Sequence, residues 1–421
     1  MRALGILTHT RLMARRIGLT CFCAPQRASA RFCACCAGPP EVVPSADAGV
    51  AVTPFRRPAP EVLPPPHAGG FDVLVLGSGN SPSAPQLGHV LRRRCKPGSV
   101  VRKSDGLTVC EEAMANLASK NRRFNVAILL RYTSSDGGPA RHIMVDAGKT
   151  MRQAVLAAFP RVGAETIDAL LITHGHADAM LGIDDLRDLQ EMREVREDGK
   201  IVGFVPVGGG GPMQIISNRD TLERVKETFP YLCGDVEMAR PGVVLRRTAW
   251  LELKEVSDND ALSVAGLPVR LFPVWHGGTY ISLGFAFGRK GDGGHPFVYI
   301  SDVKELPPAT MVWLEQVAQV GIEVLMVDCL SRRTHTSHFS LDESLDLIRR
   351  LRPARALLTG LCSCDVGDHD EVNAELAALR AFEGLDVQLA YDGMHIPEFA
   401  ADNCASEDGA SERPRKVPRS A

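Results

Sequence analysis

The sequence predicts a layered sandwich of sheets and helices, α/β or α+β, and three observations predict it. Short apolar runs recur from Phe71 to about Pro397, and they arrive in hairpin-like groups. Helix-period segments stand between the groups rather than after every strand, as a single repeating β-α-β winding would require. No internal repeat is visible.

Each element has its own signal. "FDVLVLGSGNS", from Phe71, is an apolar strand running into a glycine-rich turn. "NVAILLRY" and "HIMVDAG" read as paired strands joined by the polar turn "TSSDGGPA". "KTMRQAVLAAF" has helical spacing, and "IDALLITHG" is a strand that delivers His174 at its C-terminal end. "DDLRDLQEMREVRE" reads as a charged amphipathic helix. "LPVRLFPVWHGG", "SLGFAFG" and "PFVYISDV" are β-rich runs ended by a turn or a polar residue. "IEVLMVDC" is a further buried strand and "VQLAYDGM" closes the set. Between them, "SLDESLDLIRRL" is a helix opened by the capping box of Ser340 and Glu343. "LGSGNS" lacks the third glycine of a dinucleotide fingerprint, and "VGGGGP" is followed by Met213 and Gln214, not by the Lys-Ser of a phosphate loop. The second of these reads as a connector.

The flanks differ in composition. Residues 1–40 contain six arginines, several hydroxylated residues and no acidic one. That is the makeup of a chloroplast or mitochondrial transit peptide. A disordered basic extension, or a start placed too early, would look the same and would leave the protein cytoplasmic. Residues 41–70 read as a proline-rich linker, 71–397 as the folded domain and 398–421 as a polar tail. Five of the 12 cysteines fall within the first 40 residues, and the remaining seven form no C-x-x-C pair, against a disulfide scaffold. A net charge of −2 gives no global attraction to nucleic acid, and no apolar run approaches the roughly 20 residues that span a bilayer.

The chemistry concentrates in "LLITHGHADAMLGIDDLR". His174, His176 and Asp178 alternate after a strand, so an extended loop would turn all three the same way. Two imidazoles and a carboxylate suit zinc or a similar cation, given a further ligand from elsewhere. A polar turn after a buried strand is the competing reading. His276 and Asp302 each end another apolar run, so both can reach the same sheet rim as His174.

In this order, "GSGNS", "VDAG", "THGHAD", "VWHGG" and "YISDV" resemble the metallo-β-lactamase fold superfamily of metal-dependent hydrolases. "SKNRRFN", "THGHADAMLGIDDLR", "DCLSRRTHTSHFSLDESLDLIRRLRP" and "LAYDGMHI" are similar to its branch of PhnP-type cyclic-phosphate phosphodiesterases, over about Phe71 to Ile396. The resemblance implies a four-layer αββα sandwich with a dinuclear metal centre. His174, His176 and His276 then correspond to ligands of the first metal, Asp178 to a ligand of the second, and Asp302 to the bridging carboxylate. A hydroxide made available by the cation would attack phosphorus. His338, in "THTSHFS", matches a histidine beside the substrate phosphate, as general acid or hydrogen-bond donor; packing at a helix entry is the alternative. Arg122 and Arg123 could reach a phosphate or stand as an exposed basic pair.

The chain departs from the pattern twice. Ala179 stands where a second-metal histidine belongs, and Gly360 where the other does. Both vacancies serve one metal, so the expectation is one zinc, or manganese in its place, with the second ion in question. His369, Cys362 or Cys364 could rebuild that site; Asp184 or Asp185 fit it less well, since they would fix the helix start. The branch's accessory structural zinc is also in question, because only Cys95 and Cys110 remain in the matching region. His89, His142, His295 and His395 have no partner legible in the sequence. The expected function is a phosphodiesterase on a small cyclic or nucleotide-like phosphate. The alternatives are a thioester or lactone hydrolase on the same fold and a catalytically weakened metal-binding protein. Structured RNA is not an expected partner, since no arm-like insertion or basic patch suits it. The oligomeric state, a homodimer included, is left open.

Overall fold

A computed structural model describes residues 62–92, 102–207, 211–233, 248–291 and 293–403. The expected transit peptide, most of the linker, Cys95, the centre of the glycine run and the chain from 404 onward lie outside these residues.

Strand β1 (Gly70–Gly77) leads through helices α1 (Leu87–Arg92) and α2 (Val109–Ala115) to β2 (Ala127–Tyr132) and β3 (Arg141–Val145). Helix α3 (Met151–Val162) precedes β4 (Ala169–Leu171), whose following loop opens the short helix α4 (Ala177–Met180). After a 3-10 turn, Ile183–Asp188, come the hairpin β5 (Met192–Glu197) and β6 (Lys200–Pro206), then β7 (Met213–Ser217). Helices α5 (Arg219–Thr228) and α6 (Pro230–Cys233) and strand β8 (Leu251–Glu255) end the first half. The second half runs β9 (Ala261–Val264), β10 (Leu267–Trp275), β11 (Ile281–Phe287), β12 (Arg289–Lys290), β13 (Phe297–Ile300) and α7 (Pro308–Val320). It continues with β14 (Val324–Asp328), α8 (Leu341–Leu351), β15 (Arg355–Thr359), α9 (Ser363–Val366) and α10 (His369–Glu383). Strands β16 (Val387–Leu389), β17 (His395–Ala400) and β18 (Asp402–Asn403) close the described chain, past residue 397.

Fourteen of the strands form two seven-stranded sheets, ordered β17-β1-β2-β3-β4-β7-β8 and β16-β15-β14-β13-β11-β10-β9, while β5 pairs with β6 and β12 with β18. Side-chain alternation produces the layers. In β1, Val73 and Val75 join a core shared with Leu271, Phe285 and Tyr299 of the other sheet. Leu74 and Leu76 point the opposite way, into a cluster with Val155 and Phe159 of α3 and Val225 of α5. In β14, Val324 and Met326 face the shared core, whereas Leu325 and Val327 meet Leu314 of α7, Ile348 of α8 and Leu376 of α10. Strands buried on both faces explain why the sequence shows continuous apolar runs there instead of alternation. The order is therefore helix, sheet, sheet, helix, as the resemblance implies.

The segment read as a charged helix is different. "DDLRDLQEMREVRE" is a 3-10 turn followed by β5, which pairs with β6. Its neighbours supply the reason: Asp198 and Gly199 both take left-handed backbone, at φ 47° and 77°. An Asp-Gly pair in that conformation matches the twist of a two-residue hairpin. The charges lie along an exposed ribbon, where helix period and strand alternation are hard to tell apart.

Candidate metal centre and catalytic site

The site lies where strand ends meet. In the second sheet β10 is antiparallel to β11, β11 is antiparallel to β13, and β13, β14 and β15 run parallel. The C-terminal ends of β10, β13, β14 and β15 therefore share one edge, carrying His276, Asp302, Asp328 and Gly360. His174 and His176 arrive from the loop after β4, and Leu283 of β11 donates its N–H to Thr173 O at 2.9 Å, tying that loop to the second sheet.

His174, His176 and His276 each offer a ring nitrogen within 4.8 Å of the others. Two of the three tautomers are set by partners. Thr173 Oγ1 lies 2.8 Å from His174 Nδ1 and itself donates to the Asp146 carboxylate at 2.9 Å. The hydroxyl's proton being committed, His174 Nδ1 is the donor and Nε2 keeps its lone pair. That Nε2 is buried without a partner, the state expected of an atom that binds a cation. His276 Nδ1 donates to Ser337 O at 2.7 Å, freeing its own Nε2. His176 is oriented instead by Tyr280, whose ring stacks on it at 4.8 Å. Burial pushes His174 down to about 3, so its ring is neutral, the form that ligates metal. These residues fit a divalent cation.

Asp302 is 4% exposed and its Oδ1 lies 4.0 Å from His276 Nε2. Burial alone would raise its pKa; His174, His338 and His276 outweigh burial and hold it below the ordinary carboxylate value. Asp146 and Asp302 both sit just past strand ends in left-handed backbone, at φ 63° and 51°, a strain that accumulates at functional sites. Asp178 is 7% exposed and pushed up by burial and by the Asp302 charge, with Lys149 pulling it back.

His338 completes a second group with His276 and Asp302, their ligating atoms again within 4.8 Å. Its Nδ1 lies 2.8 Å from Asp328 Oδ2. Burial would lower this histidine, but the Asp328 carboxylate raises it to about 9. Ring Nδ1 is thus engaged and Nε2 carries the proton available to the site.

The two positions that lack the expected histidines are both enclosed. Ala179 is 2% exposed and belongs to the cluster between the first sheet and α3. Gly360 has φ +70°, and a Cβ there would stand 2.3 Å from Asp328 Oδ1. A histidine at 360 is excluded while Asp328 pairs with His338. The side chains expected to rebuild the site are engaged with other partners. His369 faces Arg123 and Asn373, while Cys362 faces Gln86. Asp184 holds Arg187, and Asp185 holds Arg152.

Cys364 joins Cys110 and His89 in a separate buried cluster, with Sγ–Sγ 2.7 Å and His89 Nδ1 2.9 Å from Cys364 Sγ. The Cys364 hydrogen bond, helped by His89, brings Cys110 down to about 6. Thiolate and imidazole at these separations fit a structural metal. The sequence reading had only Cys95 and Cys110 for this purpose. His89 was missed because its partners come from helices far away in sequence.

Arg123 is neither exposed nor at the site. It is 1% exposed and donates to Ser78, Ser363, Ala390 O and His369. Asp328, Thr173, Asp146 and Tyr280 carry no site signal in the sequence alone, although Asp146 and Asp328 each end an apolar run as His276 and Asp302 do.

The Beta-lactamase superfamily domain matches residues 141–360, just over half of the chain. The crystal structure of a diphosphatase of the PhnP family superposes with a TM-score of 0.55 at 24% identity, over 78% of this chain and 97% of that one. Zinc-bound PqqB from Methylobacterium extorquens gives 0.51 at 17% identity, over 77% and 99%. Among curated proteins, an octanoyltransferase of Porphyromonas gingivalis (strain ATCC BAA-308 / W83) is 23% identical over 340 residues, 79% of this chain. This chain spans about half the length of that relative, the match covering 55% of it. With helix, sheet, sheet and helix stacked in that order and a histidine cluster at the strand ends, the chain belongs to the β-lactamase superfamily.

Proposed function

We propose that the chain hydrolyses small phosphodiesters, cyclic or nucleotide-like, with one divalent cation, zinc or manganese, held by His174, His176 and His276. The observation that carries this reading is the buried, unpartnered Nε2 of His174 beside two further imidazoles. A cation bound there supplies a nucleophile from water at neutral pH and polarises the phosphoryl oxygen.

The chain's own residues do the rest. Asp302, next to His276, supplies a carboxylate to the cation or to the attacking water. His338 holds a proton on Nε2, stabilised by Asp328, and delivers it to the departing alkoxide. The same cationic ring offers a hydrogen bond to a phosphate oxygen. Lys149, whose ammonium donates to Ser81 O at 2.8 Å, adds positive charge within electrostatic reach of Asp178. On this one-cation reading, Asp178 acts as a positioning carboxylate for water or substrate.

A second reading, an acyl thioester hydrolase, draws on the likeness to the octanoyltransferase. A panel of bis-p-nitrophenyl phosphate, 2′,3′-cyclic nucleotides and acyl thioesters separates the two on zinc- or manganese-loaded protein. Turnover of the phosphodiesters, abolished in His174→Ala, is expected; turnover of thioesters alone would overturn the phosphodiesterase reading. We further propose that residues 1–40 direct the protein to an organelle. A fluorescent fusion retained in the cytosol would overturn that.

A further inference from the structure

The hairpin of β5 and β6 belongs to neither large sheet. Among the described residues its two strands form a sheet of their own, so each strand has one edge without a neighbour. Alternate N–H and C=O groups along such an edge point away from the hairpin and can pair with another strand. Two strands alone are only marginally stable in water, whereas four that share an apolar face hold together. Met192, Ile201 and Phe204 supply part of such a face. Phe204 stands opposite Glu194 and Ile201 opposite Arg196, on the same side as Met192, and all three are half-buried.

The two edges differ. On β6 the register shifts between the partners of Val195 and Arg196, where Val202 is an extra residue, and Pro206 has no N–H to give. Both features blunt an edge. Strand β5 has no proline and no extra residue, and its Arg193, Glu194, Arg196 and Glu197 are exposed. Arg196 pairs with Glu194 of its own strand at 2.6 Å.

The order of these charges is self-complementary. Outward from Val195 the strand meets Arg196 on one side and Glu194 on the other, then Glu197 and Arg193. Set antiparallel to a second β5 about Val195, Glu194 faces Arg196 of the other copy and Arg193 faces Glu197, each pairing occurring twice. A shift of one residue in either direction opposes Arg193 to Arg196 or Glu194 to Glu197. A shift of two opposes Glu194 or Arg196 to its own counterpart. Like charges directly opposite are destabilising, so a single register is favoured.

We propose that the chain forms a two-fold dimer in which β5 pairs antiparallel with β5 of a second copy, centred on Val195. The contact is isologous, so it closes at two chains and does not grow into a fibre. The two hairpins become a four-stranded ribbon, and Glu194 and Arg196 of both copies gather on the face that carries Phe204. His174, His176 and His276 stand on other elements, so each copy keeps its own site.

Sedimentation velocity of the full-length protein over a range of concentrations tests this. The wild type is expected as a dimer that loosens as salt screens the paired charges. Glu194→Arg alone and Arg196→Glu alone each turn two attractive contacts into repulsive ones, and each should raise the dissociation constant by roughly tenfold or more. Mixed in equal amounts, the two variants are complementary again and should recover the dimer. The double variant, Glu194→Arg with Arg196→Glu, should also dimerise. An unchanged far-ultraviolet circular dichroism spectrum shows that each variant folds. A wild type that is monomeric at every concentration would overturn the proposal, as would a dimer indifferent to both single variants. A mixture that stays monomeric would overturn the register.

Discussion

At the scale of single residues, the pairing of His338 with Asp328 decides how the site handles a proton. Asp328 is completely buried, and one of its oxygens has His338 as partner while the other has none. A buried carboxylate in that state favours a cationic neighbour, so His338 carries its proton into the neutral range. Replacing His338 by Gln keeps a donor of similar reach but removes the transferable proton. We expect kcat to fall by about 10²–10⁴-fold while the bound metal stays at the wild-type level. Loss of metal from His338→Gln would instead make this residue a ligand. The same Asp328 accounts for Gly360, since any side chain there meets its free oxygen. Sequence alone identified the absence of a histidine at 360 but not its cause, which depends on a carboxylate 32 positions earlier.

At the scale of elements, the site is a property of strand ends. His174, His276 and Asp302 were legible because each terminates an apolar run, and a buried strand ending in a metal-binding side chain is a strong local pattern. His89, Cys110 and Cys364 were not legible as a group, because α1, α2 and α9 bring them together from 21 and 275 residues away in sequence. The hairpin β5–β6 was misread because its exposed charges satisfy either period, and only the Asp198-Gly199 turn discriminates. Helix α8 shows the opposite case. Its capping box is present as expected, with Ser340 accepting from the Glu343 N–H and Glu343 accepting in return. Ser344 of the same helix donates to Asp328 O at 2.7 Å, so α8 also steadies the strand end beneath His338. Ser340→Ala should cost about 1 kcal/mol of stability, read as a lower midpoint in urea with an unchanged slope. An unchanged midpoint would show that packing of Leu345 and Ile348 alone fixes the helix.

At the scale of the whole molecule, the two sheets enclose one apolar layer and hold the site at its rim, so ligands distant in sequence are brought together by core packing. Composition and run length carried the layered architecture, since a strand buried on both faces has to be apolar throughout. The expectation of one cation rests on the missing histidines at 179 and 360, and what encloses those two positions is visible only in three dimensions. Metal content per chain of zinc-loaded wild type and of His174→Ala, measured side by side, tests the central claim most directly. The account predicts a difference of one equivalent, whatever metal the cysteine cluster retains in both. A difference of two would restore a dinuclear centre, and no difference would remove His174 from the metal altogether.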